Sequence, residues 1–156
     1  MTKLALDLGT TTGYAWRADS NAHQIISGTW DLKPQRFEGG GMRFVRFRDN
    51  LDRMFKTCGV TTIYFEEVRR HLGTDAAHIY GGLLGVLTGW CEERGIPYQG
   101  VPVKTIKKFW TGKGNAKKQD MIDVAFARGF NPIDDNEADA IALLILKTEG
   151  EPCCTK

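Results

Sequence analysis

With 156 residues, 42% of them hydrophobic and 26% charged, the chain has the length and composition of one globular domain able to bury a core without disulfides or a structural metal. One early lysine and then an apolar run broken by Asp7 do not resemble a signal peptide, and the longest uncharged apolar stretch, Ile79 to Cys91, is short and glycine-rich for a membrane span. A cytoplasmic protein with no membrane partner is therefore expected.

The net charge of +2 conceals a segregation. Lys104, Lys107, Lys108, Lys113, Lys117 and Lys118 fall in one segment without an acid, and Asp134, Asp135, Glu137 and Asp139 crowd into another. A basic segment beside an acidic cluster points to a polyanion held near a cation site, against the plainer reading of the lysines as solvated surface. Cys58, Cys91, Cys153 and Cys154 match neither a zinc ribbon nor a disulfide framework, so free thiols are expected. The last two belong to a flexible tail, 151–156, following a single domain at 1–150.

In chain order, Leu4, Ala5, Leu6 and Leu8 read as a buried central strand with Asp7 at its end. Gly9 and Gly13 permit a tight reversal, Tyr14-Ala15-Trp16 is the returning strand, and His23 to Leu32 is a third. After a loop from Lys33 to Gly41, Phe44, Val45, Phe47, Leu51, Met54 and Phe55 give an amphipathic helix from Met42 to Lys56. Val60 to Val68 is a second buried strand ending in Glu66-Glu67.

Thr74 or Asp75 caps a long helix reaching Arg94, on which Gly81, Gly85 and Gly89 form a smooth stripe suited to close core packing or to a dimer contact. Ile96 to Val101 is a fifth strand. Helices follow near Thr105 to Phe109, over Lys117 to Arg128, and from the acidic group through Leu146. The order describes an α/β domain with a mixed five-stranded sheet, an antiparallel opening meander and parallel central strands, flanked by helices.

Asp7, Glu66 and Asp139 come from distant parts of the chain and would converge only in such a fold. Three like charges together call for a cation. Oxygen ligands favour Mg²⁺, with Mn²⁺ able to substitute, and two ions about 4 Å apart support phosphodiester hydrolysis. Asp135 or Asn136, on the same helix as Asp139, supplies a fourth ligand. Glu67 faces away from Glu66 and suits a salt bridge, His78 reads as a packed or capping residue, and Trp110 reads as an anchor to the core or a base-stacking ring.

These motifs have a familiar order. Asp7 in Leu-Asp-Leu-Gly-Thr-Thr-Thr-Gly-Tyr-Ala, Glu66 in Phe-Glu-Glu-Val, the lysine segment with Gly112, Gly114, Ala116 and Lys118, and Glu137-Ala138-Asp139-Ala140-Ile141-Ala142 together resemble a RuvC-type Holliday-junction resolvase of the small phage-encoded kind. The likeness spans nearly the whole chain. It implies a ribonuclease-H-like fold, a homodimer and Mg²⁺-dependent paired nicking of four-way DNA junctions, in the host cytoplasm for a phage protein. Asp7, Glu66 and Asp139 match three of the family's four metal-binding acids. Asn136 stands where the family has Asp or His, with Asp135 one place earlier. Lys104 and Lys118 match basic positions that touch DNA, and Lys107, Lys108, Lys113 and Lys117 extend the same surface. After Glu66, where bacterial relatives place an aromatic that enters the junction, stand Arg69, Arg70 and His71, the two arginines being DNA-binding candidates. Two other readings remain. The Asp-Leu-Gly-Thr-Thr-Thr-Gly run also resembles the first phosphate loop of actin-like and sugar-kinase nucleotide-binding proteins, and Asn136 leaves room for a non-catalytic branched-DNA binder.

Overall fold

The alternation in the opening run decides where its side chains go. In the computed structural model, which describes residues 1–21, 23–69 and 73–150, β1 (Thr2–Asp7) is the central strand of a five-stranded sheet. Leu4 and Leu6 enter one core while Ala5 enters another on the opposite face. β2 (Thr11–Ala18) and β3 (Ile26–Asp31) complete an antiparallel meander. β4 (Val60–Glu67) and β5 (Tyr98–Pro102) add in parallel on the other side of β1, giving the order β3-β2-β1-β4-β5. The mixed sheet expected from the sequence is therefore present.

α1 (Met42–Cys58) and α2 (Thr74–Arg94) cover the leucine face, contributing Phe47, Leu51, Leu83, Leu87 and Trp90 to its core. α3 (Val103–Thr111), α4 (Lys118–Ala127) and α5 (Asp135–Glu149) cover the other, which is rich in alanine because α5 lies close against β1 and β2. No helix among the described residues is long and apolar enough to cross a membrane. Cys58 and Cys91 are free thiols, while Cys153, Cys154 and the rest of the expected tail lie outside the described residues.

Several local expectations change. The third strand begins at Ile26 rather than His23, and the short helix extends over Val103–Thr111 until Gly112 turns left-handed at φ 81°. Thr74 is already inside α2, so neither it nor Asp75 caps the helix; Gly73 holds the cap position without a side-chain bond. Gly9 and Gly13 are not among the glycines with positive φ. Their turn is instead closed by Thr12, whose hydroxyl donates to the Gly9 carbonyl at 2.8 Å.

The glycine stripe of α2 does not pack into the core. A β-carbon at Gly81, Gly85 or Gly89 would meet nothing within 4 Å, whereas one at Gly82 would strike the Phe44 ring of α1. Packing explains only Gly82. His78 is likewise exposed rather than packed.

Candidate functional site

β1 and β4 run parallel, so they end on the same side of the sheet. Their pairing of Ala5 with Tyr64 and Leu6 with Phe65 brings Asp7 beside Glu66, on the face that α5 covers. Asp139, one turn into α5, completes the group, with carboxylate oxygens of all three residues within 4.8 Å of one another. Three elements separated by scores of residues thus converge on one spot.

Two contacts hold α5 at that distance. Gly13 is paired with Asp7 across the β1–β2 ladder, and a β-carbon there would collide with the Asn136 carbonyl group and lie 3.0 Å from the Glu137 nitrogen. Only glycine allows this approach without something shifting. The second contact is Glu137, buried at 5% exposure. Its carboxylate accepts from the Ser27 hydroxyl of β3 at 2.7 Å and from the Ile133 amide at 2.8 Å, while its own amide donates to the capping Asp134 carboxylate at 2.9 Å. On the far face, the Tyr80 hydroxyl of α2 donates to the Glu66 carbonyl at 2.9 Å and accepts from the Val68 amide at 3.1 Å, fixing the end of β4.

The group is strained by its own charge. Burial, then the Glu66 carboxylate and a hydrogen bond to it, then Asp139 and Asp135, raise the Asp7 carboxyl well above its ordinary range. Burial and Glu66 raise Asp139 to about 7, with Asp135 adding to the rise while Lys107 and Lys118 oppose it. Asp139 Oδ1 is buried with no hydrogen-bond partner among the described residues. An all-carboxylate donor set, mutual repulsion and an orphaned oxygen fit a hard divalent cation.

The remaining candidates are placed unevenly. Asp135 forms an ion pair with Lys118 at 2.6 Å while its charge still reaches Asp7 and Asp139, and the Asn136 carboxamide nitrogen donates to Asp134 at 3.3 Å. Lys107 donates to the Ala116 carbonyl at 3.0 Å and reaches Asp139 electrostatically. Lys104 and Lys108, one turn apart on α3, line an open groove of about 490 Å³ with Thr105 and Phe109. Lys113 and Lys117 are exposed on the connection between α3 and α4. Arg69 pairs with Glu67 at 3.4 Å, as expected of an outward Glu67, whereas Arg70 and His71 lie outside the described residues. Trp110 is an anchor: it is 3% exposed, its indole donates to the Met121 carbonyl at 3.0 Å, and Arg128 covers its ring at 4.2 Å.

Sequence reasoning does not single out Tyr80, Ser27 or Glu137 as site residues. Glu137 alone carries a signal, as an acid at the head of the largely apolar run that follows it.

No protein-family model matches the chain. It is 26% identical over 147 residues to the crossover junction endodeoxyribonuclease RuvC of Anaeromyxobacter sp. (strain Fw109-5), an alignment covering 93% of this chain and 71% of that protein. In structure it is similar to Thermus thermophilus RuvC in complex with a Holliday junction substrate, with a TM-score of 0.75, 21% identity, and coverage of 93% of this chain and 91% of the other. The yeast mitochondrial Holliday junction resolvase is also similar, with a TM-score of 0.62, 14% identity, and coverage of 91% and 75%. The chain is thus similar in sequence to a RuvC enzyme and shares its fold with solved Holliday-junction resolvases, a mixed five-stranded sheet with parallel central strands flanked by helices.

Proposed function

We propose that the chain is a crossover junction endodeoxyribonuclease that cuts four-way DNA junctions by paired, metal-dependent phosphodiester hydrolysis. The observation that carries this reading is the convergence of Asp7, Glu66 and Asp139, with one buried carboxylate oxygen left unpartnered, next to the lysine segment. The likeness to enzymes named for the same activity supports it.

Asp7, Glu66 and Asp139 would hold the metal, two Mg²⁺ ions per site with Mn²⁺ able to substitute, and the fourth position falls to Asp135 or Asn136. When bound, the ions would neutralise the three carboxylates and supply Lewis-acid stabilisation of charge at the reacting phosphate. The chain's own residues do the positioning. Tyr80 and Gly13 set the separation of Glu66 and Asp139 from Asp7, and Asp135 keeps the Lys118 ammonium beside the acids. Lys104, Lys107, Lys108, Lys113, Lys117 and Lys118, with Arg69 and Arg70, would attract and orient the DNA backbone, a role for which salt-sensitive binding is the signature.

Paired symmetric cuts require two sites related by a two-fold axis, so a homodimer belongs to the proposal. The stripe of Gly81, Gly85 and Gly89 supports α2 as its contact, since it is open and flanks a groove of about 280 Å³ lined by Phe44, Val45, Val86 and Trp90. The same reading places the protein in the cytoplasm, as a single nuclease domain over residues 1–150.

The test compares a synthetic four-way junction with a linear duplex of the same sequence, in Mg²⁺ and in EDTA. Symmetric cuts confined to the junction and to Mg²⁺ are expected. Binding without cutting would instead favour a branched-DNA binder, and cutting that survives EDTA would remove the metal from the account.

A further inference from the structure

The loop between β3 and α1 displays an aromatic ring in solvent at the catalytic end of the sheet. Its departure point is fixed: Asp31 pairs with Thr11, the Leu32 amide donates to the Thr10 carbonyl at 2.9 Å, and Gly13, two residues on, pairs with Asp7. Phe37, on this loop, is 94% exposed, more than any other large hydrophobic residue among those described.

The turn carrying Phe37 is built rather than loose. The Glu38 amide donates to the Gln35 carbonyl at 3.0 Å, closing a β-turn with Arg36 and Phe37 at its tip. The Glu38 carboxylate accepts from the Gln35 amide at 2.8 Å and from Arg46 of α1 at 2.6 and 2.7 Å, so both ends of the turn are tied to a helix of the core. Arg46 reaches back to the Lys33 carbonyl at 3.4 Å, and the Lys33 amide donates to Asp31 at 2.9 Å. With its neighbours pinned, the exposed ring is presented at little further entropic cost. The Arg36 guanidinium stands over it, 5.4 Å from the centroid.

We infer that Phe37 is a stacking platform for an unpaired nucleobase of the bound DNA, with Arg36 supplying a cation to that base or to its phosphate. The inference rests on the proposed action on branched DNA, whose branch point exposes bases that a continuous duplex keeps stacked. An aromatic ring gives any base a π-face to lie on, and an adjacent arginine strengthens the contact. β3 ends on the same end of the sheet as Asp7, so the loop that carries the ring departs from the end where the acids converge.

The experiment measures binding of the full chain to a four-way junction in EDTA, where binding is read without cutting. The parent is compared with Phe37→Ala, Phe37→Leu and Phe37→Tyr. Exposure of this side chain leaves the fold with little to lose, so all three variants report on the ligand. Stacking predicts that Phe37→Ala and Phe37→Leu weaken junction binding roughly tenfold, and that Phe37→Tyr restores it. A parent that binds alongside a Phe37→Ala that binds equally well overturns this inference alone. Rescue by leucine overturns it too, because it would make the ring a plain apolar contact of the kind a protein partner uses. A parent that does not bind the junction overturns the functional proposal, and the stacking role with it.

Discussion

Gly13 and Asn136 meet where β2 and α5 touch, so closely that a β-carbon on Gly13 would collide with the Asn136 carbonyl. Gly13 is also the ladder partner of Asp7, so this contact sets how near the start of α5 comes to the first carboxylate. Gly13→Ala forces the helix off the sheet. Overpacking of this kind costs about 1–3 kcal/mol, and a urea titration is expected to read that loss. Mg²⁺ binding, followed calorimetrically, should weaken in the same variant because Asp139 retreats with the helix.

Tyr80 holds the end of β4 from behind. Tyr80→Phe removes the donor to the buried Glu66 carbonyl and leaves the Val68 amide without its acceptor. A cost of about 1–3 kcal/mol is expected for groups stranded in this way. Junction cutting should fall further than junction binding, since the disturbance is at a carboxylate and not at the lysines.

The exposed glycines of α2 make the opposite prediction. Gly81→Ala meets open space, so the substitution should raise helix stability by up to about 1 kcal/mol in thermal denaturation. Gly85→Leu should fill the open stripe and shift the protein towards monomer in sedimentation velocity. A dimer unaffected by that variant would move the two-fold contact elsewhere.

Metal-free protein should lose stability as pH rises. Asp139 titrates near 7 in the folded state, well above the ordinary carboxylate value that the unfolded chain restores. Between those values the folded state binds the extra proton, so stability is greatest below the unfolded value and declines until about pH 7. The melting temperature in EDTA, followed from pH 5 to 8, should fall less steeply for Asp139→Asn than for the parent. Mg²⁺ should stabilise the parent most at the upper end of that range, where the carboxylates are charged.

Much of this site is legible in the amino-acid order alone. An apolar strand ending in an acid is costly in itself, so Asp7 and Glu66 announce themselves, and the acidic start of the last helix supplies Asp139. Alternation along β4 correctly turns Glu67 away, and it pairs with Arg69. The contacts between elements are what the order of residues does not carry. Gly13 suits a turn as well as a close approach, and only the seating of α5 separates the two. Tyr80 looks like one more apolar residue on α2 because its hydroxyl partner is a backbone carbonyl, which has no sequence signature. The glycine stripe is legible as a smooth face, but helix spacing does not say what covers it. Asp135 is a candidate ligand by its charge and spacing, but its ion pair with Lys118 is a contact the order of residues does not show.

If Asp7, Glu66 and Asp139 hold the metal with which the chain cuts DNA junctions, the charge on Asp7 is indispensable to cutting and dispensable for binding. Asp7→Asn keeps the shape of the side chain and removes that charge. Cutting of a four-way junction in Mg²⁺ and in Mn²⁺ should therefore be lost in this variant, while its binding to the same junction in EDTA matches the parent. Cutting at the parental rate by Asp7→Asn would contradict the account.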